Sequence, residues 1–175
     1  FGEETPDNIK EIVKRLHKID TPKFKSPVNV LYASHNPERK FSDLLFENNG
    51  LITSFVKPPD RGCYSFPYSY KPAKTGKTHV VNEFFNPDFF IHLKDCHDVL
   101  VVEIKQDGDD NNRNKAKFRD AMVHFTKLNT SLEAAEEPWR YYFYFLSPDD
   151  YTGFFDRLRD GKYKGWSSGL MVDLG

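Results

Sequence analysis

A chain of 175 residues suffices for one domain built on a single core, with room for a small appendage. Its 38% hydrophobic and 15% aromatic content excludes disorder. The formal net charge of −1 excludes the overall basic field that draws many proteins to nucleic acid, leaving only local patches for that task.

The longest apolar run, Tyr141–Leu146, is far too short to span a membrane. No N-terminal apolar segment with a basic flank marks secretion. Cys63 and Cys96 are too few for a disulfide framework, so a reducing cytoplasm is the expected compartment. Phe1 is not an initiator methionine, and a fragment of a longer polypeptide is expected.

Thr5 as N-cap and Pro6 at the first helical position open a helix with Ile9, Ile12, Val13 and Leu16 at helical spacing. Lys10, Lys14, Arg15 and Lys18 cover its other side as a solvated face, with contact to a DNA backbone as the alternative. Val28–Tyr32 is a short strand. Asn36-Pro37 starts a second helix with Phe41, Leu44 and Leu45 inward, ending near Asn49-Gly50, where glycine suits a left-handed cap. Glu38, in its first turn, falls on or beside the core-facing stripe. It either satisfies the helix dipole or faces a site.

Leu51–Val56 is a strand, and Lys57–Gly62 a loop. The segment Tyr64–Tyr70 alternates aromatic with small residues and reads as a strand whose rings form a core face. Between Lys57 and Lys77 five basic residues face one acid, Asp60, a local balance of +4. Lys71, Lys74 and Lys77 are therefore candidate phosphate contacts.

Asn82–Gln106 organises the chain as two strands folded back on each other, the first carrying Pro87-Asp88 and the second ending in Glu103-Ile104-Lys105. Neighbours two apart share a face, so Glu103 and Lys105 point one way and Leu100, Val102 and Ile104 the other. A turn centred between Asp95 and Cys96 pairs residues whose numbers sum to 191, placing Asp88 opposite Glu103. A shift of two pairs Asp88 with Lys105 on the same face, and a shift of one scatters the three groups. Such a cluster is either a surface cross-strand pairing or a buried site, because carboxylates at the end of an apolar strand are costly unless paired or bound to metal.

Asp107–Asn112 lacks the distal glutamate of a calcium loop, since Phe118 stands at the twelfth position, and reads as a turn capping the next helix. That helix, Arg113–Leu128, turns Phe118, Ala121, Met122, Phe125 and Leu128 inward, leaving Lys115 and Lys117 on its remaining surface. An acidic linker, Ser131–Pro138, leads to Trp139–Leu146, a strand aromatic enough to be central and buried on both faces. Ser147-Pro148-Asp149-Asp150 caps a last helix that Gly161 ends, and residues 162–175 form a loosely held tail. His92, Cys96 and His97 lack the second ligand pair of a zinc site. His35 and His124 read as structural or surface residues.

Asn36–Phe41, Tyr64–Tyr68, Asn86-Pro87-Asp88-Phe89, Val102–Lys105, Asn114–Lys117 and Tyr142–Pro148 occur in that order, with fifteen residues from Asp88 to Glu103. The ordered set resembles the PD-(D/E)xK nucleases, and within them the C-terminal endonuclease domain of type III restriction-enzyme Res subunits and related helicase–nuclease fusions. The resemblance implies an α/β fold with a restriction-endonuclease-like core, a mixed central sheet flanked by helices, over residues 28–161. Residues 1–27 then form an N-terminal helix and linker.

It implies a magnesium-dependent DNA endonuclease, manganese substituting. Asp88, Glu103, the Ile104 carbonyl and Glu38 are the implied metal ligands, and Lys105 the residue that orients water or steadies charge. Lys115 and Lys117 match a stretch implied to meet phosphates. The implied partners are DNA, a helicase or translocase module and a methylation or specificity subunit. No GxxxxGK[ST] loop occurs, so ATP hydrolysis would belong to that module. A nuclease fold acting on RNA or DNA ends, and a non-catalytic nucleic-acid-binding module, stand as alternatives.

Overall fold

The structure, a computed structural model, describes residues 6–19, 30–33, 35–59, 63–72 and 80–175. In chain order the elements are α1 (Pro6–Lys14), β1 (Leu16–Lys18), β2 (Val30–Tyr32), α2 (Asn36–Glu47), β3 (Ile52–Val56), β4 (Phe66–Tyr70), β5 (Val81–Phe85) and β6 (Phe89–Leu93). They continue with β7 (Asp98–Ile104), α3 (Asn112–Ala134), β8 (Arg140–Leu146), α4 (Tyr151–Arg159) and α5 (Gly169–Leu174). The fold is mixed α/β. A central four-stranded sheet, ordered β3-β6-β7-β8, is antiparallel except for the β7–β8 pair, which is parallel and joined through α3. β1–β2 and β4–β5 form separate antiparallel ribbons.

Register between β6 and β7 follows the sum of 191: Phe89 pairs with Val102, Phe90 with Val101, Ile91 with Leu100 and His92 with Val99. Asp95 takes a left-handed conformation in the connecting turn (φ 60°), which a short polar side chain tolerates. The expected single strand through Pro87-Asp88 is two strands. β5 pairs with β4, the chain leaves that ribbon at Asn86, and β6 begins at Phe89. Proline, lacking an N–H, interrupts the ladder there.

Period-2 alternation along β8 distributes the rings between the two layers. Phe143 and Phe145 meet Phe85 of β5, while Phe125 and Phe118 of α3 reach Phe143 and Phe145 respectively. Tyr144 meets Phe154 of α4 and Trp166 on the opposite face. On that second face Phe41 of α2, fully buried, packs on Phe89, Tyr151, Phe154 and Phe155. Every residue of β7 is buried, as expected of a strand covered on both faces.

β8, expected at the centre, is an edge strand. Its aromatic run reports two covered faces and says nothing about neighbours in the sheet. The edge is closed by side chains. Asn129 of α3 donates to the Tyr141 carbonyl (2.8 Å) and accepts from the Tyr141 N–H (2.8 Å), and Ser168 donates to the Phe145 carbonyl.

Three further expectations change. α3 runs on to Ala134, consuming half of the presumed linker. α2 ends at Asn48 with φ −94°, and Gly50 lies in a short 3-10 turn, not in a left-handed cap. Residues 162–175 are a packed part of the fold: Tyr163, Leu170, Met171 and Leu174 are buried, and Ser168 caps α5 by accepting from the Met171 N–H.

The other caps hold. Asn111 accepts from Asn114 at the start of α3, Asp150 from the Ser147 N–H ahead of α4, and Gly161 (φ 67°) follows that helix. Ile9, Ile12 and Val13 of α1 are exposed. The presumed Thr5 cap lies outside the described residues, within which no helix is long and apolar enough to cross a membrane.

Candidate active site

The ends of β6 and β7 bring the predicted groups together. In the observed register Pro87 would stand opposite Ile104, and it can supply no donor to extend the ladder. Asp88 fills the gap, its Oδ2 accepting the Ile104 N–H at 2.7 Å. The aspartate thus ends the ladder as a side-chain substitute for a backbone rung, which keeps its carboxyl beside β7.

Glu103 is 3% exposed. Its Oε1 accepts a hydrogen bond from Lys105 and lies 3.6 Å from the ammonium of Lys117 on α3. Glu103 Oε2 is buried and has no hydrogen-bond donor among the described residues. Such an oxygen costs stability and calls for a reason.

Glu38 enters from the first turn of α2, buried as its place on the core-facing stripe predicted. Lys57 Nζ lies 3.1 Å from its Oε2, close enough to neutralise its charge. The pair is not aligned for a hydrogen bond, so this oxygen also lacks a donor among the described residues. Lys57 further sits 5.4 Å from the Phe89 ring centroid. A pocket of about 380 Å³ opens over the cluster, lined by Glu38, Asp88, Ile104, Lys105, His35 and Asp109 together with Pro37 and Gln106.

Charge in this pocket is closely coupled. Burial and then the neighbouring Glu103 push the Asp88 carboxyl well above its ordinary pKa, against the pull of Lys105 and Lys57. Burial works against the charge on Lys105, yet Glu103 and Asp88 outweigh it and hold that ammonium above its usual value. Lys117 differs. Burial lowers its pKa despite Glu103, with Lys105 and Arg113 adding to the effect.

Among the remaining candidates, Lys71 and Lys115 line a separate groove of about 860 Å³ with Arg119, Phe118 and Met122. Lys74 and Lys77 lie outside the described residues. Lys117 is turned inward, its side chain 15% exposed. His92 bonds the Cys96 carbonyl (2.8 Å) and packs on Trp139, which His97 also meets. His124 stacks on Phe66, their centroids 4.3 Å apart.

Sequence reasoning passed over Lys57 and His35. For Lys57 a signal existed: it stands two residues after Phe55, whose face is buried, so continued alternation turns it inward. His35, immediately before α2, carries no pattern that would have marked it.

Among the described residues no group of three His, Cys, Asp or Glu side chains is arranged to hold a metal ion unaided. Magnesium asks for less, one or two carboxylates with carbonyl and water oxygens completing an octahedron. Asp88, Glu103 and the Ile104 carbonyl meet that donor chemistry, and the bare Oε2 of Glu103 fits a cation as its missing partner, whereas Glu38 Oε2 already has the Lys57 ammonium beside it. No family model, no curated protein and no solved structure matches this chain.

Proposed function

We propose that this chain is a metal-dependent DNA endonuclease domain with a restriction-endonuclease-like core, working alongside a helicase or translocase module. The observation that carries the proposal is the convergence of Asp88, Glu103 and Lys105, with Asp88 and Lys105 lining a pocket and the buried Glu103 Oε2 left without a donor. A purely structural cluster would satisfy that oxygen.

Asp88, Glu103, the Ile104 carbonyl and Glu38 would hold the ion. Bound magnesium would supply the positive charge that polarises a phosphate and makes a nucleophile of water near neutral pH. Lys105 stays protonated and is fixed by Glu103, so it presents a steady positive charge to the pentavalent phosphorus centre. Asp88 holds its proton to a higher pH than an ordinary carboxyl, and a bound cation would favour its ionised form as a ligand. Lys57 pairs with Glu38 at 3.1 Å and holds its carboxylate in place beside them. Lys71 and Lys115, exposed along the separate groove, suit the flanking phosphates, as do Lys74 and Lys77 by their sequence.

The test compares supercoiled plasmid and RNA as substrates for the parent and Asp88→Asn, with magnesium, with manganese and with a chelator. Asparagine retains an acceptor for the Ile104 N–H, so the ladder end survives while the charge goes. Metal-dependent nicking of plasmid that falls about a hundredfold in the variant is the expected result. Equal nicking by both proteins would overturn the assignment of Asp88. Cleavage of RNA alone would move the substrate class, and tight DNA binding without cleavage by the parent would favour a non-catalytic module.

A further inference from the structure

Lys117 entered as a surface lysine for DNA phosphates, and its surroundings are those of an internal residue. Its ammonium lies 5.0 Å from the Phe85 ring centroid and 5.8 Å from that of Tyr68, with its third neighbour the Glu103 carboxylate. The Tyr68 wall is itself braced: Arg113 Nε donates to the Tyr68 hydroxyl (2.8 Å), which donates to Glu83, and Arg113 also pairs with Glu83 (3.0 Å). Lysine is almost never buried unless paired. A lysine stem this enclosed would have to leave both rings to touch a phosphate.

The two lysines on Glu103 come from different elements, Lys105 from the end of β7 and Lys117 from α3, yet both approach the same oxygen. A carboxylate drawn on one oxygen from two directions cannot rotate without losing an interaction. Its other oxygen, Oε2, is thereby held in one place and left bare. Resting on the metal-dependent reading above, we propose that Lys117 is a positioning residue: it clamps Glu103 through Oε1 so that Oε2 is presented to the divalent cation. The β4–β5 ribbon, which supplies Tyr68 and Phe85, then serves the site by keeping this cation in place.

The sign of one measurement separates a clamp from a bystander. An ammonium that is merely nearby repels a divalent cation, so its removal tightens metal binding. Removing a clamp loosens it. Manganese alone is titrated by calorimetry into the full chain of the parent, Lys117→Gln and Lys117→Met, the methionine retaining the aliphatic stem between the rings. Unfolding temperatures are recorded for each, and binding of a short DNA duplex is measured in parallel across salt concentrations.

The expected result is manganese affinity weakened about tenfold in both variants at an unfolding temperature near that of the parent, with the salt dependence of DNA binding unchanged. Unchanged or tighter manganese binding overturns the clamp. So does a salt slope reduced by about one, the mark of a lost phosphate contact, and so does loss of the fold in both variants, which makes Lys117 a structural cation. A parent that binds no manganese removes the metal-dependent reading and the clamp together, whereas variants matching a parent that does bind remove the clamp alone.

Discussion

β7 carries a buried carboxylate near each end, and the fold treats the two in opposite ways. At its start Asp98, 6% exposed, accepts from the Tyr163 hydroxyl and lies 2.8 Å from Lys164, leaving no buried oxygen without a donor. At its finish Glu103 is buried more deeply, has two lysines on one oxygen and none on the other, and pushes up the pKa of Asp88 beside it. Burial of charge is common to both ends, so burial alone does not identify a site. What separates them is the second oxygen: no buried oxygen of Asp98 lacks a donor, whereas Glu103 Oε2 is buried without one, next to Asp88 and Lys105, which line a pocket.

The strongest way to break this contrast is stability. Asp98→Ala strands the Tyr163 hydroxyl and should cost about 2 kcal/mol, lowering the unfolding temperature by roughly 6 °C for a chain of this size. Asp88→Asn should shift the metal-free protein in the other direction at neutral pH, because it removes a group whose ionisation the folded protein penalises and keeps the acceptor for Ile104. Thermal unfolding in chelator checks both, and a loss of stability in Asp88→Asn would erase the distinction between the two ends.

Titration sharpens it next. The folded-state pKa of Asp88 is raised, so the folded protein holds a proton that the unfolded chain gives up near pH 4. Stability from this group is complete below about pH 4 and is lost as pH rises through the folded value. The advantage of Asp88→Asn should accordingly open above that pH and vanish beneath it. Unfolding temperatures of the two proteins across pH, without metal, would show curves that meet on the acid side; curves running parallel would contradict the assignment.

The smallest effect concerns the cations. Lys164 is 55% exposed, so its ion pair with Asp98 is screened by water. Lys164→Ala should cost only a few tenths of a kcal/mol, measurable by urea unfolding. A cost above about 1 kcal/mol would mean that the Asp98 end depends on its cation as the Glu103 end does.

Several of these features were legible in the sequence for identifiable reasons. Alternation put Glu103 and Lys105 together, and the position of one turn set the register that carries Asp88 toward them. The proline–aspartate pair is legible too: proline stops the ladder and aspartate finishes it. Lys57 was marked only by alternation carried one step beyond its strand, whereas Lys117 escaped because its direction depends on which rings arrive from distant segments. The rank of β8 in the sheet was hidden for a related reason. Aromatic side chains at Tyr142 through Phe145 record what lies above and below a strand, and the backbone that records its lateral neighbours is the same in every residue. Residues 162–175 were underestimated because Tyr163, Leu170, Met171 and Leu174 are too widely spaced to show a pattern before the chain is folded.

Asn129 has a consequence for how copies of this molecule can meet. By making both main-chain bonds of Tyr141, it occupies the place where an incoming strand would first engage the β8 margin, and Ser168 takes the Phe145 carbonyl further along. Growth of the sheet by strand addition on that side is forestalled. Association through β8 would have to proceed through side chains, whose chemistry can discriminate among partners in a way that bare peptide groups cannot.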